Sequence, residues 1–494
     1  LAPRLRRVCT RSPSWDTHET EDLVKEDLKN RDASVAAIGP GGENLCHEAI
    51  IENDKHHSFS HAGFGGVMGS KKLKAIAVYG AGKVAPHDPA ALEYAAKEWT
   101  KSLLNSEMGK FWIASGRSTK GRKDTWDYDE THGLISSRNF QVVSPAQWRD
   151  DIHDVANITP EPCYMCPLGC SHVLQIVKGP HKGQIATPSG GGENMEGPAS
   201  SVGVYDTASV YRLVELQDRL GFEAGYIGSV LGFAFECYEK RLITKEDTGG
   251  VELRWGDVDA AAKLMEMIAK REKIGNILAM GVKRASQAIN KGSEKFIVHI
   301  KGAAPSWHDW RSSWGIMFGQ IVGGGSGWPA PGVTSFTIEP DVGYAEFQDP
   351  LTPDGKAEAA RRTGMKKYWD DAIGTCWNAT WGIPGALKYT AKAVAAVTGW
   401  EMPDALLVGE RIMNLERLFN VRHGLTPVHD LDIGPRFLEP PKMGPAKGKT
   451  IAPYLPGMLS EYYRLMGWDE NTGKPWRGTL KRLGLEEYSA DIWR

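Results

Sequence analysis

No segment of the chain is apolar over the length a bilayer requires, and no secretory leader is visible, because the arginine- and serine-rich residues 1–15 have no apolar middle. Charge of one sign is also missing. Lys and Arg total 59 against 61 Asp and Glu, so no long-range field draws the protein to nucleic acid or to a membrane, and selectivity must reside in local sites. Internal repeats and low-complexity tracts are absent. Cysteine is scarce: seven residues, an odd number, with three crowded into eight positions. That distribution opposes a disulfide framework and fits metal ligation in a reducing compartment, so a cytoplasmic location is expected. The chain starts at Leu1 rather than Met, which reads as a truncated or misassigned start. What is present is an ordinary globular make-up, 41% hydrophobic and 24% charged over 494 residues, enough for two or three domains with substantial cores.

Short apolar runs stopped by glycine come first. Ser34-Val-Ala-Ala-Ile38 halts at Gly39-Pro-Gly-Gly, and Leu73-Lys-Ala-Ile-Ala-Val-Tyr79 ends at Gly80, so both read as strands. Between them, the segment from His61 to Lys71 reads as a glycine-rich loop whose backbone can approach a ligand closely. From about Pro86 the texture turns helical. Runs beginning at Pro89, Ala260 and Ala405 carry apolar residues at three- and four-residue spacing, the mark of helices with one face in a core. Gly190-Gly-Gly192 and Gly323-Gly-Gly-Ser-Gly327 read as loops, the second following a tryptophan-rich stretch from Ser306 to Trp314.

The chemistry concentrates at cysteine. Cys163-Tyr-Met-Cys166-Pro-Leu-Gly-Cys170 has the spacing C-x2-C-x3-C, with Pro167 and Gly169 bending the chain so that three thiolates converge. A structural zinc site usually pairs two short arms and no second arm exists, although Cys376 can complete four thiolates; the spacing favours a [4Fe-4S] cluster over zinc. Radical enzymes that use S-adenosylmethionine want the reverse order. Cys376 closes Asp371-Ala-Ile-Gly374-Thr-Cys376, and Asp218-Arg-Leu-Gly221-Phe-Glu223 repeats its D-x-x-G frame. In the plainest account each Asp decorates a helix and each Gly ends one. The alternative is a pterin, whose amino-pyrimidine edge offers adjacent N–H donors that a carboxylate accepts in pairs. A pterin-binding motif that ends in a cluster ligand would place the two cofactors in contact.

Several motifs in order then carry a resemblance: Ala37-Ile-Gly-Pro-Gly-Gly-Glu-Asn44, Val67-Met-Gly-Ser-Lys71, the cysteine run, Glu196-Gly-Pro198, both D-x-x-G motifs and the segment Gly409 to Asn420. From about Thr17 to its end the chain resembles the tungsten-containing aldehyde ferredoxin oxidoreductases. The resemblance implies an α+β fold: a remnant of an N-terminal β-rich domain over residues 1–85, a helical domain over 86–297 with three cluster cysteines and the first D-x-x-G, and a second helical domain over 298–494. It implies tungsten, or molybdenum, held by two pterins, with magnesium in the region bridging their phosphates. Asp218, Phe222 and Glu223 would bind one pterin, Asp371 and Thr375 the other. His57, Ser58, Ser60 and His61 match the family's phosphate-binding loop, and Cys163, Cys166, Cys170 and Cys376 would hold the cluster.

Departures from the family pattern bear on the substrate. Two expected arginines are His57 and His61. The position of the family's metal-side Glu is Ser201, and no His stands near Gly327. His308, Asp309, Glu193 and Glu196 are the candidate replacements for proton transfer. The activity implied is oxidation of an aldehyde to a carboxylic acid, or the reverse, with electrons passed to ferredoxin or an iron–sulfur subunit and with homo- or hetero-oligomers in view. The tryptophans and Phe318 would suit an aromatic substrate, and Asp370-Asp-Ala-Ile-Gly-Thr-Cys376 resembles the motif of tungsten enzymes that reduce the ring of an aromatic coenzyme A thioester, so a benzoyl-CoA type reductase subunit acting on an acyl-CoA is the enzymatic alternative. From another class, the chain could be a truncated, non-catalytic cluster-binding electron-transfer protein.

Overall fold

The computed structural model describes residues 15–186, 193–324, 338–402 and 404–493, and the side chain of Glu193 lies outside that description. Helix Thr17–Leu28 opens the fold under a reciprocal cap between Asp16 and Glu19. It lays Val24 on Val35, Ala37 and Ala75 of a small antiparallel sheet. The two strands read from the sequence, Ser34–Ile38 and Ala75–Val78, pair with each other, Ser34 opposite Val78. Strands Ile51–Asn53 and His57–Phe59 extend the sheet beyond Ser34–Ile38. The glycine-rich segment between strands is not wholly a loop: Phe64–Ser70 is helical. Its glycines meet backbone rather than a ligand, since a methyl group on Gly65 or Gly69 would lie 2.2 Å from the Ile50 carbonyl oxygen or 2.0 Å from that of Gly42.

The rest of the described chain is mainly helical, giving the α+β architecture the sequence implied. One core gathers helices Thr207–Leu220, Ala224–Glu239 and Val258–Lys270. Ala224–Glu239 is apolar on nearly every side and is buried from Ala224 to Cys237, as a helix without a polar face must be. A second core gathers Trp314–Val322, Lys356–Ala372, Ala405–Arg422 and Leu455–Met466 around Trp307, Trp310, Trp314 and Phe318. Helix Pro89–Asn105 packs on Ala386–Thr398. Between the hairpin strands Ala156–Pro160 and His172–Ile176 runs the cysteine loop. Among the described residues no helix is long and apolar enough to cross a membrane.

Sheet and helices meet backbone to backbone. A Cβ on Gly39 would fall 2.4 Å from the Leu220 carbonyl oxygen, and one on Gly41 would fall 2.5 Å from the Phe222 ring. Neither contact leaves room for a side chain, which explains why the strand stops at Gly-Pro-Gly-Gly. Gly39→Ala is therefore expected to overpack this junction and destabilise the fold by about 1–3 kcal/mol, read as a lower thermal unfolding midpoint. Gly80→Ala, where a Cβ meets nothing within 4 Å, should leave the midpoint in place.

Candidate functional site

Both D-x-x-G motifs are helix ends. Helix Thr207–Leu220 stops at Gly221, which takes φ 75° and donates its N–H to the Asp218 carbonyl at 3.1 Å. Helix Lys356–Ala372 is followed by Gly374, with φ 72° and the same bond to the Asp371 carbonyl at 3.1 Å. The shared frame thus follows from helix termination, where only glycine takes a left-handed φ at no steric cost. The two aspartates then diverge. Asp371 is 53% exposed, and its carboxylate grips Lys367 Nζ at 2.5 and 2.6 Å. Asp218 is 8% exposed, and the partner of its carboxylate is the Gln217 amide at 3.4 Å.

Asp218 borders a cavity of about 210 Å³ between the sheet and the first helical core. Its lining includes Glu52, His56, Ser58, Ser60, His61, Gln217, Phe222, Glu223, Asn194 and Trp307. Ser58, Ser60 and His61 are thus brought together with Asp218, Phe222 and Glu223. His57 turns the other way, setting Nε2 3.1 Å from Cys163 Sγ, and its neighbour His56 takes the place at the cavity. Burial, aided by His57, lowers His56 to about 4, so it is a neutral group at pH 7. Glu223 has a structural task as well, capping helix Ala224–Glu239 through the Tyr226 N–H at 2.5 Å, with His61 Nδ1 3.5 Å away. Burial pushes the Asp218 carboxyl up to about 8. Glu52 is held well above the usual carboxylate range, first by burial and then by the charges of Asp218 and Glu21. Sequence reasoning missed Glu52 and His56; the available signal for Glu52 was an acid interrupting the apolar run Ala49-Ile-Ile51.

The cysteine loop is shaped by left-handed residues at Met165 and Gly169, and the Cys166 N–H bonds the Cys163 carbonyl at 2.9 Å. Cys376 reaches the same place from the second helical core, and its thiol is pushed up to about 11, by desolvation first and then by the charges of Cys170, Cys166 and Cys163. The four sulfurs are therefore electrostatic neighbours. Yet among the described residues no three Cys, His, Asp or Glu side chains converge tightly enough to hold a single metal ion. Four thiols in one neighbourhood are a donor set that an iron–sulfur cluster or a zinc ion could take. All six described cysteines are free thiols. Asn378 Nδ2 and His57 Nε2 approach Cys170 and Cys163 at 3.7 and 3.1 Å.

The candidates for proton transfer separate clearly. Asp309 is fully buried and binds Arg311 through both oxygens, at 2.7 and 2.6 Å, while Arg311 also donates to the Phe140 carbonyl at 2.9 Å. This is a structural clamp. His308, next in sequence to Trp307, and Glu196, close in sequence to Asn194 of the cavity lining, form a buried pair with Nδ1 2.9 Å from Oε1. Ser201 is buried and donates to the Gly197 carbonyl at 2.5 Å, so it keeps its proton within the backbone. Glu193 begins the short helix Glu193–Glu196, and Gly327 lies outside the described residues. Of the tryptophan-rich stretch, Trp307 reaches the cavity, whereas Trp310, Trp314 and Phe318 pack in the second core.

Comparison with known proteins identifies the family. Residues 95–485 match the family model for aldehyde ferredoxin oxidoreductase, domains 2 and 3, and residues 8–80 match that for its N-terminal domain. The tungsten-containing aldehyde ferredoxin oxidoreductase of Pyrococcus horikoshii is 33% identical over 482 residues, covering 95% of this chain and 76% of that protein. An aliphatic sulfonate oxidoreductase, WOR-like subunit, from Pyrococcus furiosus is 30% identical, covering 97% and 74%. In fold, the active-site complex BamBC of benzoyl coenzyme A reductase, solved with 1,5-dienoyl-CoA, superposes with a TM-score of 0.73 at 21% identity over 97% of this chain and 77% of that one. With two family models in sequence order and about a third of its residues shared over nearly its whole length, the chain belongs to the aldehyde ferredoxin oxidoreductase family and is an oxidoreductase.

Proposed function

We propose that this chain interconverts aldehydes and carboxylic acids at a tungsten bis-pterin site, with a [4Fe-4S] cluster on Cys163, Cys166, Cys170 and Cys376 passing electrons to ferredoxin. One observation carries the reading. A single edge of the sheet serves two neighbours: His56 and Ser58 line the cavity while His57, between them, touches Cys163. A cofactor-sized space and a set of thiols one side chain apart are what an enzyme needs if it takes electrons in one place and exports them from another. The tungsten-containing relatives at a third identity support the metal; molybdenum is the chemical substitute.

When bound, the tungsten pterin supplies two-electron oxidation and the cluster a single-electron relay. The chain's own residues divide the remaining work. Asp218, Phe222 and Glu223 would hold one pterin at the first helix end, and Asp371 and Thr375 the second at the matching end. Ser58, Ser60 and His61 would donate to the pterin phosphates, where magnesium could also bind. Glu196 and His308 move the proton that aldehyde oxidation releases, one accepting it while the other fixes its orientation. Residues 1–85, 86–297 and 298–494 act as the three units that close on the cofactor. Tyr164 and Met165, 93% and 85% exposed between two cluster cysteines, offer ferredoxin an apolar contact beside the electron exit. The enzymatic alternative is reduction of the ring of an aromatic coenzyme A thioester: the benzoyl coenzyme A reductase complex BamBC shares the fold, while Trp310, Trp314 and Phe318 lie in the core.

Two outcomes are expected. Cys376→Ser lowers iron and acid-labile sulfide in the purified chain, whereas Cys237→Ala, a thiol buried in the helical core, leaves both at the wild-type level; equal loss in the two variants would remove Cys376 from the ligand set. Glu196→Gln and His308→Gln each lower kcat for aldehyde oxidation, followed with a viologen dye, by about 10²–10⁴-fold without loss of tungsten or iron. Undiminished turnover in either variant would take that residue out of proton transfer, and a wild-type chain with iron and sulfide but no tungsten or pterin would leave only an electron carrier.

A further inference from the structure

Glu52 is the least satisfied group in the molecule's central cavity. It sits on strand Ile51–Asn53, opposite Ser58 on the neighbouring strand and Ala37 on the other side, so the pleat sends its carboxyl to the cavity face. It is 3% exposed, and its Oε2 has no hydrogen-bond partner. No lysine or arginine appears among the described residues that line the cavity. A buried carboxyl without donor or cation costs stability, of the order of several kcal/mol if forced to ionise. A second buried carboxyl, Asp218, with only the long bond from the Gln217 amide at 3.4 Å, borders the same space.

We propose that Glu52 is a cofactor-binding residue that works with Asp218 as a pair, the two carboxyls reading the amino-pyrimidinone edge of the first pterin. This rests on the function proposed above and extends it to a residue outside both D-x-x-G motifs. The pyrimidinone edge presents an exocyclic amine, a ring N–H and then a carbonyl: two donors beside one acceptor. One carboxylate accepts both N–H groups, and one carboxylic acid donates its O–H to the carbonyl. Two buried carboxyls that repel each other supply that combination, since they hold a proton between them at neutral pH. The elevation of Asp218 to about 8 and of Glu52 well above its ordinary range follows the same cause. N–H donors from the ligand stabilise one anion, and the other group stays protonated. His61 Nδ1 lies 3.5 Å from Glu223 Oε1 and leaves this pair to the ligand.

The test measures pterin per chain by fluorescence after oxidative release, with iron content and circular dichroism alongside, in chains purified from the same host. Glu52→Met keeps the side-chain length and removes the carboxyl; Glu52→Gln keeps one acceptor oxygen. The expected result is at least tenfold less pterin in Glu52→Met, a smaller loss in Glu52→Gln and unchanged iron. After cofactor removal, Glu52→Met should also unfold at a higher temperature than the wild type, because an unpaired buried carboxyl has gone. A purely structural glutamate would give the opposite shift. Wild-type pterin content in Glu52→Met, or a lower unfolding temperature of its cofactor-free form, overturns the inference. If Asp218→Asn loses pterin while Glu52→Met does not, the inference alone falls; if the wild-type chain carries no pterin, the proposed function falls with it.

Discussion

The contact of Gly39 with the carbonyl of Leu220 fixes everything that follows from it in space. Because no side chain intervenes, the end of strand Ser34–Ile38 lies directly on the end of helix Thr207–Leu220. The sheet then becomes one wall of the cavity and the first D-x-x-G the other. Strands Ile51–Asn53 and His57–Phe59 follow by register, and with them Glu52, Ser58 and the histidine pair. Move the helix end outward by the width of a methyl group and the carboxyl of Asp218 no longer shares a space with that of Glu52. Gly221 meets the same constraint from the other side, since a Cβ there would lie 2.9 Å from the Gly39 nitrogen.

The electrostatics of this junction are unfavourable for folding and so point to use. Asp371 takes one solution: it stays at the surface and pairs with Lys367 at the preceding turn. Asp309 shows the other solution, a buried carboxylate neutralised through both oxygens by Arg311. Glu52 and Asp218 adopt neither. Several other buried charges are paired, as Lys366 is beside Asp370 at 3.1 Å and Arg417 beside Asp430 at 2.8 Å. An acid pair without compensation, in a cavity, is a local conflict of the kind that functional sites retain.

Legibility in the sequence followed the range of each interaction. Strand Ser34–Ile38 and the three apolar-striped helices were readable because their patterns are local, and the cysteine loop because its spacing is. The D-x-x-G frame was readable as a motif but ambiguous in meaning: both copies end helices, and only the burial of Asp218 against the exposure of Asp371 tells them apart. Burial is a tertiary quantity that no spacing encodes. The helix Phe64–Ser70 escaped because its glycines argue against helix by propensity, and backbone packing against Gly42 and Ile50 overrides that preference. His57 was assigned to the cavity by motif position, but adjacent residues on a strand face opposite ways, and the pleat gave His57 to the cysteines.

On the proposed function, electrons and protons leave the cavity in different directions, and the residues that define those directions differ in kind. Toward the cysteines the first group met is His57, with the half-buried Cys163 behind it and the exposed Tyr164 and Met165 at the rim. Electron transfer tolerates such a mixed path because it needs closeness rather than a continuous chain of exchangeable protons. The opposite direction is polar and buried: Glu196 against His308, with the guanidinium of Arg149 attracting Glu196 from behind. Arg149 lies 3.1 Å from the centre of the Trp126 ring and 4.3 Å from that of Trp148, so its cation is held by aromatic faces instead of a carboxylate of its own. A carboxylate that shares its charge with a distant guanidinium and its oxygen with an imidazole keeps a defined orientation without being fully neutralised. On the proposed function, this pair, displaced from the family's usual positions, does the work that Ser201, bonded to its own backbone, cannot.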